Sequence, residues 1–209
     1  MNSIRKLAVT AILMAGAVGC SAATATAEDE WVSLFDGTTL SGWTMAGSDK
    51  SKWEVVDGAI VGSGNASMLY SPRGDYTNFK FRAEVKISDG GNSGLYFRSP
   101  TADGDFSKGY EAQIDSTHKD PIRTGSIYGF LHIYEQLVPP DTWFTYEIEC
   151  QDKEWRGLTV PHIKVSVNGK LLFMFIERTK AWDKGYFAFQ QHDPGSKVQI
   201  RKIEVQELK

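Results

Sequence analysis

Glu111, Gln113 and Asp115 alternate with Tyr110, Ala112 and Ile114. In a β-strand successive side chains point to opposite faces, so the two carboxyls and the amide share one face and the apolar trio shares the other. A row of carboxyls is costly to bury without partners, so that face is either open to water or lines a polar groove. Two other segments carry the same kind of face. Asn92, Tyr96 and Arg98 have one parity, and so do Gln190 and His192. Were the three strands neighbours in one sheet, they would assemble acids, a permanent cation, amides and an imidazole. Planar polar groups of this sort hold vicinal hydroxyls, while aromatic rings cover the apolar C–H faces of a sugar. The six tryptophans are candidates for those rings, with ordinary core packing as the alternative for each.

Each of these residues has a plainer reading. His192 could be a hydrogen-bonded structural residue, and Arg98 could pair with Glu111 or Asp115. Asp103, Asp105, Asp115 and Asp120 form an oxygen-rich set of the kind that holds calcium, but they lack EF-hand spacing. No cofactor is expected, with calcium at these aspartates as the alternative. H-E-x-x-H, C-x-x-C, G-x-S-x-G and a phosphate loop are all absent from the sequence.

The elements that position these residues are short alternating runs separated by turn signals. Phe79, Phe81, Ala83, Val85 and Ile87 alternate with charged residues, as in a half-buried antiparallel strand. Asp57-Gly58 and Asn168-Gly169 are favoured two-residue hairpin turns. Near the C-terminus the apolar parity slips between Ile200 and Ile203, which predicts a β-bulge at Arg201-Lys202. About ten to twelve strands with no sustained helical period predict an all-β fold, two antiparallel sheets packed as a jelly-roll sandwich.

The chain has 209 residues. Arg5 and Lys6, an apolar run over 7–18 and the small residues after it resemble an export signal, too short for a permanent membrane span. Ala25-Thr26-Ala27 offers a cleavage site before Glu28. Ala17-Val18-Gly19-Cys20 offers a lipobox that would lipidate Cys20 and provide the sole membrane attachment. The expected division is therefore an export segment and linker over 1–27 and one folded domain over 28–209, in a periplasmic or cell-surface protein. Removing Arg5 and Lys6 leaves 21 basic against 26 acidic side chains, a net charge of about −5, which argues against a nucleic-acid partner. Cys150 then stands alone in the folded part, without a disulfide partner.

The order of several motifs carries a resemblance. Leu34-Phe35-Asp36-Gly37 with Leu40 and Gly42-Trp43, then Trp53, Asp57-Gly58, Gly91-Asn92-Ser93-Gly94 with Phe97-Arg98, and Gly109-Tyr110-Glu111 with Gln113 and Asp115 come first. Gly125-Ser126-Ile127-Tyr128-Gly129, Asn168-Gly169, Gln190 with His192 and the stretch 203–208 follow. Together they resemble the 3-keto-disaccharide hydrolase domain family. The segment 130–140 departs from the family's usual passage, and Arg201-Lys202-Ile203 stands where the family often has FRNI. The resemblance implies a concanavalin A-like jelly roll that cleaves glycosides oxidised to a ketone at C3. Such a reaction needs a base, an enolate stabiliser and a proton for the leaving oxygen. On this reading Glu111 or His192 is the base and Arg98 the stabiliser. Asp115, Gln113 and Gln190 hold hydroxyls, and Asn92, Tyr96 and Tyr128 complete the binding set. The alternatives are a lectin-like glycan-binding module and a conventional glucanase-like hydrolase. The latter ranks lower, because Cα atoms four residues apart on a strand are about 13 Å apart and the middle position is an amide. In each case the partner is a small sugar or oligosaccharide.

Overall fold

The computed structural model describes residues 30–209; the export signal, Cys20 and the cleavage site before Glu28 lie outside the described residues. The strands in chain order are β1 (Val32–Ser33), β2 (Thr44–Gly47), β3 (Ser51–Val56), β4 (Ala59–Gly64), β5 (Ser67–Tyr70), β6 (Phe79–Ile87) and β7 (Asn92–Ser99). They continue with β8 (Tyr110–Asp115), β9 (Phe144–Trp155), β10 (Leu158–Val167), β11 (Lys170–Ile176), β12 (Tyr186–Gln191) and β13 (Val198–Glu207). Among the described residues there is no helix, and thus none long and apolar enough to cross a membrane. All strand pairs are antiparallel. One sheet has the order β11-β10-β9-β6-β13-β4-β3 with β1 beside β13, and the other has the order β2-β5-β12-β7-β8. This is the two-sheet jelly-roll sandwich that the alternation implied.

The core lies between the sheets. Phe79, Phe81, Val85 and Ile87 from β6 meet Leu95, Phe97, Phe187 and Phe189 from the smaller sheet, all essentially removed from water. Phe187 joins the layers: its ring centroid is 4.7 Å from that of Phe79 and 4.5 Å from that of Phe81. Such aromatic pairs add about 0.5–1.5 kcal/mol beyond burial. Both predicted hairpin turns form, with positive φ at Asp57 and Gly58 and at Asn168 and Gly169, as tight hairpin turns require. The predicted bulge is present too. The β13–β6 register shifts between Arg201 and Glu204, and Lys202 has φ of 51°, so Ile200 and Ile203 both reach the core.

β7 contains a second irregularity that its alternation does not disclose. Ser99 pairs with Tyr186 and Tyr96 pairs with Ala188, so Phe97 and Arg98 together oppose the single residue Phe187. Arg98 has φ of 52°. The extra residue breaks the parity that began with Asn92, Gly94 and Tyr96, and Arg98 leaves their face.

Candidate functional site

β12, β7 and β8 are consecutive neighbours in the smaller sheet, so the three polar faces do lie side by side. Asn92, Tyr96, Glu111, Gln113 and Gln190 form the floor of a cleft of about 500 Å³, with His192 at its margin. Loops build its walls. The segment 125–128 runs beside the outer edge of β8: the Gln113 amide donates to the Ser126 carbonyl (3.0 Å), and the Tyr128 amide donates to the Glu111 carbonyl (2.9 Å). This pairing brings Tyr128, Phe130 and Asp120 to one wall, and Phe106 and Ser107 come from the loop before β8. Among the tryptophans, Trp182 lines the cleft; Trp43 and Trp53 pack against the core, as the plainer reading allowed.

Trp182 and Ala181 are held by a buried anchor. Glu177, 2 % exposed, accepts the Tyr110 hydroxyl (2.7 Å), the Ala181 amide (2.8 Å) and the Thr179 amide (2.7 Å). The Trp182 amide donates to the Tyr110 hydroxyl at 3.2 Å. Burial works against the Glu177 carboxylate, but the bonds from Thr179, Tyr110 and Ala181 prevail and hold its pKa below the ordinary value. The core-facing side of β8 thereby fixes a wall of the cleft that its other face floors.

Glu111 is the chemically unusual group. Its side chain lies over Gly94, the residue on β7 opposite Gln113. Burial pushes its pKa from 4.5 to about 8; the nearby Tyr96 hydroxyl opposes the shift and the charge of Asp120 adds to it. A carboxyl in this state exchanges a proton near neutral pH, as a general acid or base must. Tyr96 is itself anchored, donating to the Phe106 carbonyl (3.2 Å) and accepting from the Gln190 amide (3.1 Å), and burial pushes its hydroxyl pKa well up. The Gln113 amide nitrogen donates to Asn92 Oδ1 (3.2 Å). The side-chain oxygens of Gln113 and Gln190 are buried at the floor and accept no hydrogen bond.

Two expected site residues stand elsewhere. Arg98 is 0 % exposed and absent from the cleft lining. Its guanidinium donates to the Thr77 carbonyl (2.6 and 2.9 Å), the Trp182 carbonyl (3.3 Å) and Asp152 Oδ1 (2.9 Å). The bulge at Phe97-Arg98 is the cause. Asp115 keeps the parity of Glu111 but is closed off by its own loop: Oδ1 accepts Arg123 Nη1 (2.9 Å) and the His118 amide (3.1 Å). Neither is placed to touch a ligand in the cleft. The four aspartates of the oxygen-rich set have other partners, Asp120 accepting the Ile122 amide and the Tyr128 hydroxyl. Asp103 and Asp105 both face Lys108, at 2.5 and 3.7 Å, whereas Asp115 pairs with Arg123. The cleft residues that alternation missed, Phe106, Asp120, Phe130 and Trp182, all come from loops.

The fold and site define a lectin-like jelly roll with a sugar-sized polar cleft on one sheet. The chain belongs to the 3-keto-alpha-glucoside-1,2-lyase-like domain family, which matches residues 30–206. It is 38 % identical over 79 residues to a 3-keto-disaccharide hydrolase of Bacteroides thetaiotaomicron; the match covers 33 % of this chain and 27 % of that protein, so the chain spans about a quarter of its relative's length. Among solved structures, a candidate glycosyl hydrolase of Parabacteroides distasonis superposes with a TM-score of 0.68 at 20 % identity, covering 86 % of this chain and all of that one. The carbohydrate-binding module CBM66 of Bacillus subtilis gives 0.60 at 17 % identity, covering 79 % and 96 %. At these identities the structural likeness speaks for the fold alone.

Proposed function

We propose that this is an exported enzyme that cleaves glycosides already oxidised to a ketone at C3, by elimination of the C1 substituent and addition of water. The observation that carries the reading is Glu111: a carboxyl with its pKa raised to about 8, at the floor of a cleft with unpartnered amide oxygens and aromatic walls. Family membership and the name of the Bacteroides relative support the substrate class. Arg5, Lys6 and the apolar run over 7–18 support export.

The chemistry follows from the ketone. A C3 carbonyl acidifies the hydrogen on C2. Ionised Glu111 takes that hydrogen as a proton, and the C2–H electron pair forms C2=C3 with the negative charge on O3. Collapse of the enolate restores C3=O, forms C1=C2 and expels the C1 oxygen. The proton gained by Glu111 balances the one the departing oxygen requires. Water then adds across C1=C2, hydroxyl to C1 and hydrogen to C2, so the net change is hydrolysis. Burial makes the Glu111 carboxylate, once ionised, a stronger base than a solvated one. Gln113 and Gln190 hold sugar hydroxyls, and Trp182, Phe130 and Tyr128 cover the ring faces.

The test is sugar release from a 3-keto-glucoside beside its unoxidised parent. Release from the oxidised compound alone supports the reading. Release from the parent would point to a conventional glycosidase, and tight binding without release from either would point to a glycan-binding module.

A further inference from the structure

The reaction above places negative charge on O3, yet among the described residues no lysine or arginine lines the cleft. Arg98 is committed to Thr77, Trp182 and Asp152. The His192 end of the cleft offers another source of positive charge. His118, in the loop after β8, meets His192 and Asp193, which follow β12, and one donor atom from each lies within 4.8 Å of the others. Asp193 Oδ2 is 2.9 Å from His192 Nδ1 and 3.7 Å from His118 Nε2. The two imidazoles stand edge to face with centroids 5.7 Å apart. Behind them, Asp115 Oδ2 is buried, accepts no hydrogen bond and lies 3.8 Å from His118 Nδ1.

We propose that His118, His192 and Asp193 bind one divalent transition-metal ion of the zinc, cobalt and manganese class, with Asp115 orienting His118 from behind. Two imidazole nitrogens and one carboxylate oxygen suit these ions, whereas calcium takes six or more oxygens. Three protein ligands leave positions open, the arrangement of catalytic rather than structural sites. Ligation exchanges hydrogen bonds at His118. Without the ion, His118 Nδ1 accepts the Asp120 amide at 3.2 Å, so a neutral ring carries its proton on Nε2, facing Asp193. Ligation through Nε2 requires the other tautomer, with Nδ1–H donating to a carboxylate. The unpartnered Asp115 oxygen is the acceptor that tautomer needs, and Nδ1 gives up the Asp120 amide and the Asn92 amide 3.4 Å away in exchange.

The catalytic part of this inference rests on the ketone chemistry proposed above. His192 lines the cleft, so the ion would offer its charge to a sugar oxygen while Glu111 removes the C2 proton. As a ligand His192 cannot also be the base, which leaves that role to Glu111.

The full chain, stripped with a chelator, is titrated calorimetrically with Zn²⁺, Co²⁺, Mn²⁺ and Ca²⁺, alongside His192→Ala, Asp193→Asn and Asp115→Asn. The expected result is one transition ion per chain, no calcium, loss of the site in the first two variants, and weakening by about 10–100-fold in the third. His192 is at the surface, with its side chain 39 % exposed, so its variant is expected to keep the parent's thermal melt. Failure of all three transition ions to bind stoichiometrically, or unchanged binding in both ligand variants, overturns the site. Turnover of a 3-keto-glucoside by stripped and reloaded protein separates the two proposals. Full turnover by stripped protein overturns the ion's role in the chemistry. Stoichiometric binding with no turnover by either form upholds the site and removes the ketone reading.

Discussion

Glu111 lies directly over Gly94: a methyl group built on Gly94 would overlap Glu111 Oε1 and stand 2.8 Å from its Cγ. The missing Cβ on β7 is what lets the carboxyl on β8 fold down onto the sheet. Gly94→Ala should therefore expel the Glu111 side chain while leaving the backbone undisturbed, because the obstructing group is a flexible side chain. The expected outcome is a melting temperature within a few degrees of the parent and a fall in kcat/KM of about 10²-fold, as for loss of a positioned general base. Steady-state kinetics beside a thermal melt checks both halves.

Glu111→Gln should trade activity for stability. A carboxyl whose folded pKa is raised from 4.5 to about 8 binds its proton more tightly folded than unfolded. Its ionisation costs nothing below pH 4.5, costs increasingly between 4.5 and 8, and costs a constant amount above. Each tenfold gain in proton affinity on folding corresponds to about 1.4 kcal/mol. The glutamine variant is thus expected to melt several degrees above the parent at pH 9 and with it near pH 4.5. A gap that is the same at both pH values would contradict the raised pKa.

The same ionisation sets the activity profile. A base must be deprotonated, so kcat/KM of the parent should fall as pH drops through about 8, with a slope of one proton. A profile flat from pH 6 to 9 would take Glu111 out of the base role.

Alternation discloses the two sheets, both hairpin turns, the bulge in β13 and five floor residues, Asn92, Tyr96, Glu111, Gln113 and Gln190. Each depends on local periodicity or turn chemistry. Parity misplaces Arg98 because a bulge costs one residue of alternation and Phe97-Arg98 carries no glycine or asparagine to announce it. Asp115 has the expected parity, but parity does not reveal that a loop eight residues on returns Arg123 to cover it. His118, Asp120 and Trp182 sit in irregular segments positioned by long-range bonds such as Tyr110 to Glu177, and no periodic signal reports those.

Arg98 is a structural cation by this account. Arg98→Ala leaves Asp152 buried without its arginine and the Thr77 carbonyl without its donors, although Lys180 still reaches Asp152 at 2.8 Å. Breaking a buried pair from one side costs about 3–5 kcal/mol. The expected readout is a large drop in the denaturation midpoint. A variant of parental stability would show that the guanidinium is not bonded as described.

Tyr110→Phe tests the anchored wall. It removes a donor from Glu177 and an acceptor from the Trp182 amide, at about 1–3 kcal/mol for buried groups left unpaired. Because Trp182 and Ala181 touch the ligand space but not the reacting carbons, KM is expected to rise severalfold while kcat changes little. A loss confined to kcat would argue against an anchoring role.

The central claim is that Glu111 removes the C2 hydrogen of a 3-keto sugar. Turnover of a 3-keto-glucoside in D₂O, followed by NMR at C2, tests it most directly. The account predicts solvent deuterium at C2 of the released keto sugar with the parent protein, and neither release nor exchange with Glu111→Gln. Release with the original hydrogen retained at C2, or exchange by the glutamine variant at the parent's rate, would contradict it.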